Sequence, residues 1–336
     1  MGGFIAASSK HAPVVAVAAV LLAASSAGAK DKPWEAIPQD LRASQEPLEL
    51  VVHLKQQELG VGSDPGVARD SNGGIIGALI DAGIDSSSRK GATATLSAAR
   101  DIFKGPDAEA LLMDGIRESV RPISWIAMRE GGALHDNGDE AKSALLDAAR
   151  GPYLLDADCS YSISQRFQAV YAYCDLAIAA KSGDGKPADR WKPANLRFSH
   201  FVETEVALLN PASGIQGRRA QWTANSAALL RSSLERALAK VGPLLAQRLL
   251  MTEGDLLAAK AKPKARFVTA YVGMGLEHKG QVIDGFDNIV GKHHPNAGGL
   301  MLLYKAGTDG ALLLEKDNNF YHNFAVEGPE PEADAD

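Results

Sequence analysis

Two stretches decide the fold: Tyr153-Leu154-Leu155-Asp156-Ala157-Asp158-Cys159-Ser160-Tyr161-Ser162-Ile163-Ser164, and Ala169-Val170-Tyr171-Ala172-Tyr173-Cys174-Asp175-Leu176-Ala177-Ile178-Ala179. Apolar and polar side chains alternate through both, the period of a strand with one buried face. Val170, Ala172, Cys174, Leu176 and Ile178 share that face. A third alternating stretch, Leu196 to Leu208, places Leu196, Phe198, Val202 and Val206 together. The short gap between the first two, and the polar cluster Ser182-Gly183-Asp184-Gly185-Lys186-Pro187 before the third, are turn chemistry. The expectation is an antiparallel meander.

Residues facing each other in a hairpin keep a constant index sum. A turn around Ser164 to Phe167 therefore sets Cys159 opposite Cys174, the only two cysteines. In an oxidising compartment such a pair bridges; the alternative is two buried thiols, because only some opposed sites suit disulfide geometry. The spacing is not that of a Cys-x-x-Cys dithiol. The same register opposes Asp158 and Asp175 on the other face. Two carboxylates across a ladder repel, so they are either solvated or separated by a cation. As a site they would bind a metal ion or share a proton, against the plainer reading of solvated surface acids.

Outward from the meander the pattern becomes helical. Helices are expected from Gly73 to Lys104, Asp107 to Val120, Glu140 to Arg150 and Thr223 to Met251, the last with Leu230, Leu234, Leu238 and Val241 at helical spacing and a kink at Pro243. A strand begins at Leu48, and Ile123 to Glu130 offers another, shorter one. In the first helix Gly74, Ala78 and Ala82 are spaced four apart beside Gly73 and Gly77. One side is therefore nearly smooth, as in helices that pack backbone to backbone; ordinary packing inside the domain is the competing and favoured reading.

At the N-terminus, Lys10 precedes the apolar run Val14 to Ala24, and Ala27-Gly28-Ala29 supplies a small-x-small cleavage pattern. This reads as an export leader removed between Ala29 and Lys30, too short to be retained as a span. The protein is expected in a periplasm or outside the cell, with no transmembrane span after cleavage. The formal net charge of −6 and the absence of a basic block argue against nucleic acid as a partner.

The organisation expected is residues 1–29 as leader, 30–47 as a flexible arm with three prolines, 48–257 as an α+β domain, 258–265 as a linker, 266–326 as a small all-β module of short strands, and 327–336 as an acidic disordered tail. The fold class is thus α+β, an antiparallel β-meander packed with helices, plus that C-terminal module.

His278, His293, His294 and His322 fall in the module with Asp284 and Asp287 nearby. Their spacing matches no ligand motif, so no metal or other cofactor is assigned. Gly60-Val61-Gly62-Ser63-Asp64-Pro65-Gly66 has the wrong spacing for a dinucleotide loop. No nucleophile elbow, zinc helix or Walker loop occurs, so no catalytic residue is named.

The order of the helix Ile75-Ile76-Gly77-Ala78-Leu79-Ile80-Asp81-Ala82, a meander beginning near Tyr153 and a helix carrying Trp222 resembles uncharacterised exported proteins of Gram-negative bacteria, over residues 48 to 255. The resemblance implies an exported α+β protein and brings no activity or site residues. The expected role is a non-enzymatic binding or assembly factor of the cell envelope with an envelope protein as partner; the alternative is a periplasmic hydrolase without a local motif.

Overall fold

The computed structural model describes residues 34–54, 59–62, 105–164, 167–182, 186–207, 209 and 213–262, and beyond them the strand backbones at 264–267, 278–282, 289–292, 301–306 and 314–315. The leader, the smooth helix with Gly73, Gly74, Gly77, Ala78 and Ala82, and the acidic tail lie outside the described residues.

The chain begins with the short helix α1 (Gln39–Arg42) and strands β1 (Leu48–Leu54) and β2 (Gly60–Gly62). Helix α2 (Gly105–Val120), strand β3 (Ile126–Met128) and helix α3 (Asp139–Ala148) follow. The meander comprises β4 (Tyr153–Ser164), β5 (Val170–Ala180) and β6 (Phe198–Val206), all antiparallel. After it come α4 (Gly214–Leu250) and α5 (Glu253–Lys260), then β7 (Lys264–Phe267), β8 (His278–Val282), β9 (Ile289–Lys292), β10 (Met301–Ala306) and β11 (Leu314–Glu315).

The central strands run in the order β10-β6-β5-β4-β1-β3. The sheet is mixed: β1 lies parallel to both β4 and β3, and β10 parallel to β6. Parity sorts the side chains. Leu50, Val52, Leu155, Ala157, Cys174, Leu176 and Val202 join the main core with Leu112, Ile116, Leu234, Leu238 and Leu245 from α2 and α4. Their neighbours of opposite parity, Val51 on β1 and Leu154 on β4, form a smaller core on the opposite face with Leu146 and Ala149 at the end of α3. Helices on both faces follow from strands that are apolar on both faces.

The hairpin register is the one read from sequence. Cys159 pairs with Cys174 and Asp158 with Asp175. The cysteines form a disulfide with Cα atoms 4.0 Å apart, and both are buried. Ser164 holds the turn, its Oγ accepting from the amides of Gln168 (2.8 Å) and Ala169 (3.2 Å). Trp222, fully buried, donates from its indole to the Phe167 carbonyl at 2.7 Å and ties this turn to α4. Replacing both cysteines with serine should lower stability by about 3 kcal/mol, the loop-closure entropy expected for this separation. A urea midpoint unchanged between oxidised and reduced protein would refute that role.

Several expectations change. Residues 34–47 are not a free arm, because Ile37 and Leu41 sit in the main core. Arg42 caps the end of α4 by donating to the carbonyls of Leu250 (3.2 Å) and Met251 (2.5 Å), where a cation also meets the negative end of the helix dipole. Arg248, fully buried, donates to the Glu35 carbonyl and from Nε to His200 Nδ1 (2.9 Å). Burial, helped by the nearby Arg42 cation, pushes the Arg248 guanidinium down to about 9.

Of the stretch expected as a linker, residues 258–260 belong to α5 and residues 264–265 to β7. Thr252 caps α5: its Oγ accepts from the Asp255 amide (3.2 Å) while its own amide donates to the Asp255 carboxylate (2.8 Å). Helix α4 starts at Gly214, well before the expected Thr223, and its interruption is at Ala224–Ala227. Pro243 keeps helical geometry. Ala224 is extended and Asn225, Ser226 and Ala227 have φ of +50° to +57°, a left-handed turn costly to residues with a Cβ. The strands expected as a separate module are joined to the main sheet through β10, whose Leu302 and Tyr304 enter the main core.

Helices α2 and α4 meet at two glycines. A Cβ on Gly242 would lie 2.2 Å from the Gly115 carbonyl oxygen and 2.7 Å from the Ile116 nitrogen, so the two backbones touch there. A Cβ on Gly115 would have its nearest neighbour, the Ala239 oxygen, at 3.8 Å. Backbone-to-backbone packing of the kind anticipated for the smooth helix thus occurs in this pair.

Candidate functional site

Two features of the described residues carry chemistry, and they lie on different elements. The first is a polar cluster on β1 and β4 beneath α3. The parity of β1 that sends Val52 and Leu54 into the main core turns His53 to the other face, and β4 does the same with Asp156 and Asp158. His53 and Asp158 are register partners. His53 Nδ1 and Asp156 Oδ1 are 2.5 Å apart, and each side chain is 1% exposed. Lys142, reaching down from α3, donates to Asp156 Oδ2 at 2.5 Å and lies 3.4 Å from Asp158 Oδ2. Asn137 donates to Asp158 Oδ2 at 2.6 Å. The Lys142 ammonium also stands 5.7 Å from the centre of the Trp191 ring.

Burial alone would pull the Lys142 pKa down. The charges and hydrogen bonds of Asp156 and Asp158 together outweigh it and hold the ammonium above its ordinary value. The hydrogen bond between Nδ1 and Asp156 occupies that ring nitrogen and leaves Nε2 as the other. That Nε2 is buried and has no hydrogen-bond partner. General-base work needs a proton within hydrogen-bond reach, and among the described residues no serine, threonine or cysteine supplies one to it.

The second feature is a groove of about 550 Å³ between α4 and α5. One wall is Pro243, Ala246, Gln247 and Leu250; the other is Asp255, Ala258, Ala259 and Lys262. Each set has the spacing i, i+3, i+4, i+7, and all but Lys262, which follows the end of α5, lie on one stripe of a helix. Ser119 at the end of α2 and Met251 at the bend complete the lining. The space exists because alanines stand where larger residues would fill it. Leu250 is 51% exposed at the rim, and Leu257, beside Ala258, is 69% exposed; they are the most exposed large hydrophobic side chains among the described residues. Gln247 is 7% exposed, and neither its amide oxygen nor its amide nitrogen has a hydrogen-bond partner. The Asp255 carboxylate is held below its ordinary pKa by the backbone and side-chain hydrogen bonds of Thr252.

The residues singled out in the sequence fall as follows. Asp158 and Asp175 do stand opposite each other, and Asp158 is engaged by Lys142 and Asn137. Cys159 and Cys174 are joined to each other and so offer no thiol. His278 begins β8, whereas His293, His294, His322, Asp284 and Asp287 lie outside the described residues. Among the described residues no group of three or more histidine, cysteine or acidic side chains is arranged to hold a metal ion, and no helix is long and apolar enough to cross a membrane. His53, Lys142 and Gln247 were not singled out. His53 had one signal, a titratable residue inside an otherwise apolar strand, and Gln247 another, the single amide in an apolar stripe.

Compared with protein families, curated proteins and solved structures, the chain matches none.

Proposed function

We propose that this is an exported protein of the cell envelope that works by binding, holding an apolar segment of another envelope protein in the groove between α4 and α5. The observation that carries the reading is the groove itself: its volume lies within the range of ligand clefts, six of its ten lining residues are apolar, and one of them, Leu250, is half exposed. The titratable cluster that an enzyme would place in its cleft is instead sealed under α3, away from the groove's lining.

The runner-up, a hydrolase, is favoured by one observation, the unpartnered Nε2 of His53 held by Asp156. The test purifies the exported chain, expected by mass to begin at Lys30, and uses it as bait in envelope extract. A partner held by the wild type should be lost with Ala258→Trp, which fills the groove from an exposed position, and kept with His53→Gln. Capture unaffected by Ala258→Trp would overturn the groove as the binding site. A chain recovered only from the cytoplasm, or exported with residues 1–29 still attached, would overturn the address or the cleavage site.

A further inference from the structure

We infer that the groove is closed in the free protein by a segment of this same chain, residues 320–326, which an incoming partner must displace. The inference rests on the groove being the binding site and adds how access to it is regulated.

Strand β11 fixes where the C-terminal segment starts and which way it heads. It pairs antiparallel with β7, Leu314 against Phe267 and Glu315 against Arg266, so the chain leaving Glu315 runs back along β7 towards Lys264. Lys264 follows closely on the end of α5 at Lys260, and the second wall of the groove reaches Lys262. Helix α5 also touches β8, the neighbour of β7, so this end of the sheet stands beside that wall. Residues 316–336 lie outside the described residues. If the register continues, Asp317 comes level with Lys264, and the next three residues span about 10 Å. That brings Phe320 to the mouth of the groove, at the end away from the bend at Met251.

The composition of the segment suits the space. Ala246, Ala258 and Ala259 leave room in the walls, and Phe320, Tyr321 and Phe324 carry the aromatic rings of the C-terminal segment. Such rings bury the most apolar surface per residue. Residues 320–326 contain no carboxylate, lysine or arginine, whereas Asp317 precedes them and five acids follow from Glu327 on. The segment therefore enters apolar walls without stripping water from an ionised acid, and the acids keep the rest of the tail in solvent. A short tether presents the segment at about millimolar effective concentration. A second copy of this chain offers the same residues only at the bulk concentration.

The experiment titrates a fluorescein-labelled peptide of residues 318–328 onto the chain from Lys30 to Asp336, read by fluorescence polarisation. A segment of about 0.1 mM intrinsic affinity, tethered at about millimolar effective concentration, should weaken the added peptide about ten-fold. The double variant Phe320→Asp, Phe324→Asp should therefore bind the peptide about ten-fold more tightly than the wild type. Ala258→Trp in that double variant should abolish the binding. A second measurement places the photo-crosslinker p-benzoylphenylalanine at position 320 of the otherwise wild-type chain. Irradiation should join it to residues between 243 and 262 of the same chain, as shown by mass spectrometry of a mixture of ordinary and ¹⁵N-labelled protein.

Equal peptide affinity in wild type and double variant, or crosslinks elsewhere in the chain, would overturn the proposal. Peptide binding that survives Ala258→Trp would place the segment at another surface and overturn it too. Crosslinks between ordinary and labelled chains would assign the groove to the tail of a second copy, which also overturns closure within one chain. Should the double variant fail to fold, the crosslink alone decides. The groove reading is separable: an envelope partner held equally by wild type and double variant, and lost with Ala258→Trp, would keep the groove as the binding site and overturn only its closure by the tail.

Discussion

Among the described glycines, Gly242→Ala is expected to be the most damaging methyl addition. The new Cβ would sit 2.2 Å from the carbonyl oxygen and 2.4 Å from the carbonyl carbon of Gly115, and 2.7 Å from the Ile116 nitrogen. All three are backbone atoms of α2, and a rotamer change cannot move them. Overpacking usually costs about 1–3 kcal/mol, when side chains can give way. Here one helix must lift off the other across a core that includes Leu112, Ile116, Leu238 and Leu245. The loss should therefore lie at or above the top of that range. Gly115→Ala is the control, because its Cβ finds only ordinary contacts from 3.8 Å outward. Removing a mid-helix glycine there should stabilise by up to about 1 kcal/mol. Urea melts of the two variants check the pair; equal effects in both would mean that the helices do not meet as described.

Lys142→Met should cost about 3–5 kcal/mol, the penalty for leaving a buried charge uncompensated. The Asp156 carboxylate is 1% exposed and has the ammonium at 2.5 Å; methionine keeps most of the bulk and removes the charge. The pH dependence has a definite sign. The folded-state pKa of Lys142 is raised above its ordinary value, so its contribution is fully present below the unfolded-state value of about 10.4 and is lost as pH rises through the folded-state value. Wild-type stability should thus fall in the alkaline range above about pH 10.5, and the difference between wild type and Lys142→Met should shrink there. A difference that stays constant across that range would show the lysine to act through packing alone.

What was legible in the sequence was local. The alternation of β4 and β5, with a turn whose length admits one register, was enough to place Cys159 against Cys174 and Asp158 against Asp175, because a one-residue slip would have turned every apolar side chain to the wrong face. The capping box Thr252-Glu253-Gly254-Asp255 was equally local, and the Ala- and Lys-rich composition after it obscured a helix that the box begins. The break at Ala224–Ala227 had no comparable mark, since only Asn225 among its residues favours a left-handed backbone. The polar cluster was out of reach for a different reason. His53, Lys142 and Asp156 come from β1, α3 and β4, and no periodicity within one element brings them together. The contact of Gly115 with Gly242 is of the same kind: each glycine alone reads as a tolerated flaw in a helix, and only tertiary structure shows which of them must stay bare.

The parallel pairing of β10 with β6 has a consequence for the order in which the sheet assembles. The meander closes through a five-residue turn and a seventeen-residue connection and so forms at modest entropic cost, but β1 against β4 and β10 against β6 each join segments about a hundred residues apart, and contacts of such long range are slow to form. Strand β6 then waits as an open edge until residues 301–306 arrive. A chain cut short before Met301 would keep its hairpin and its disulfide and would carry that edge permanently, with unpaired backbone donors and acceptors in a row, the surface on which chains add to one another.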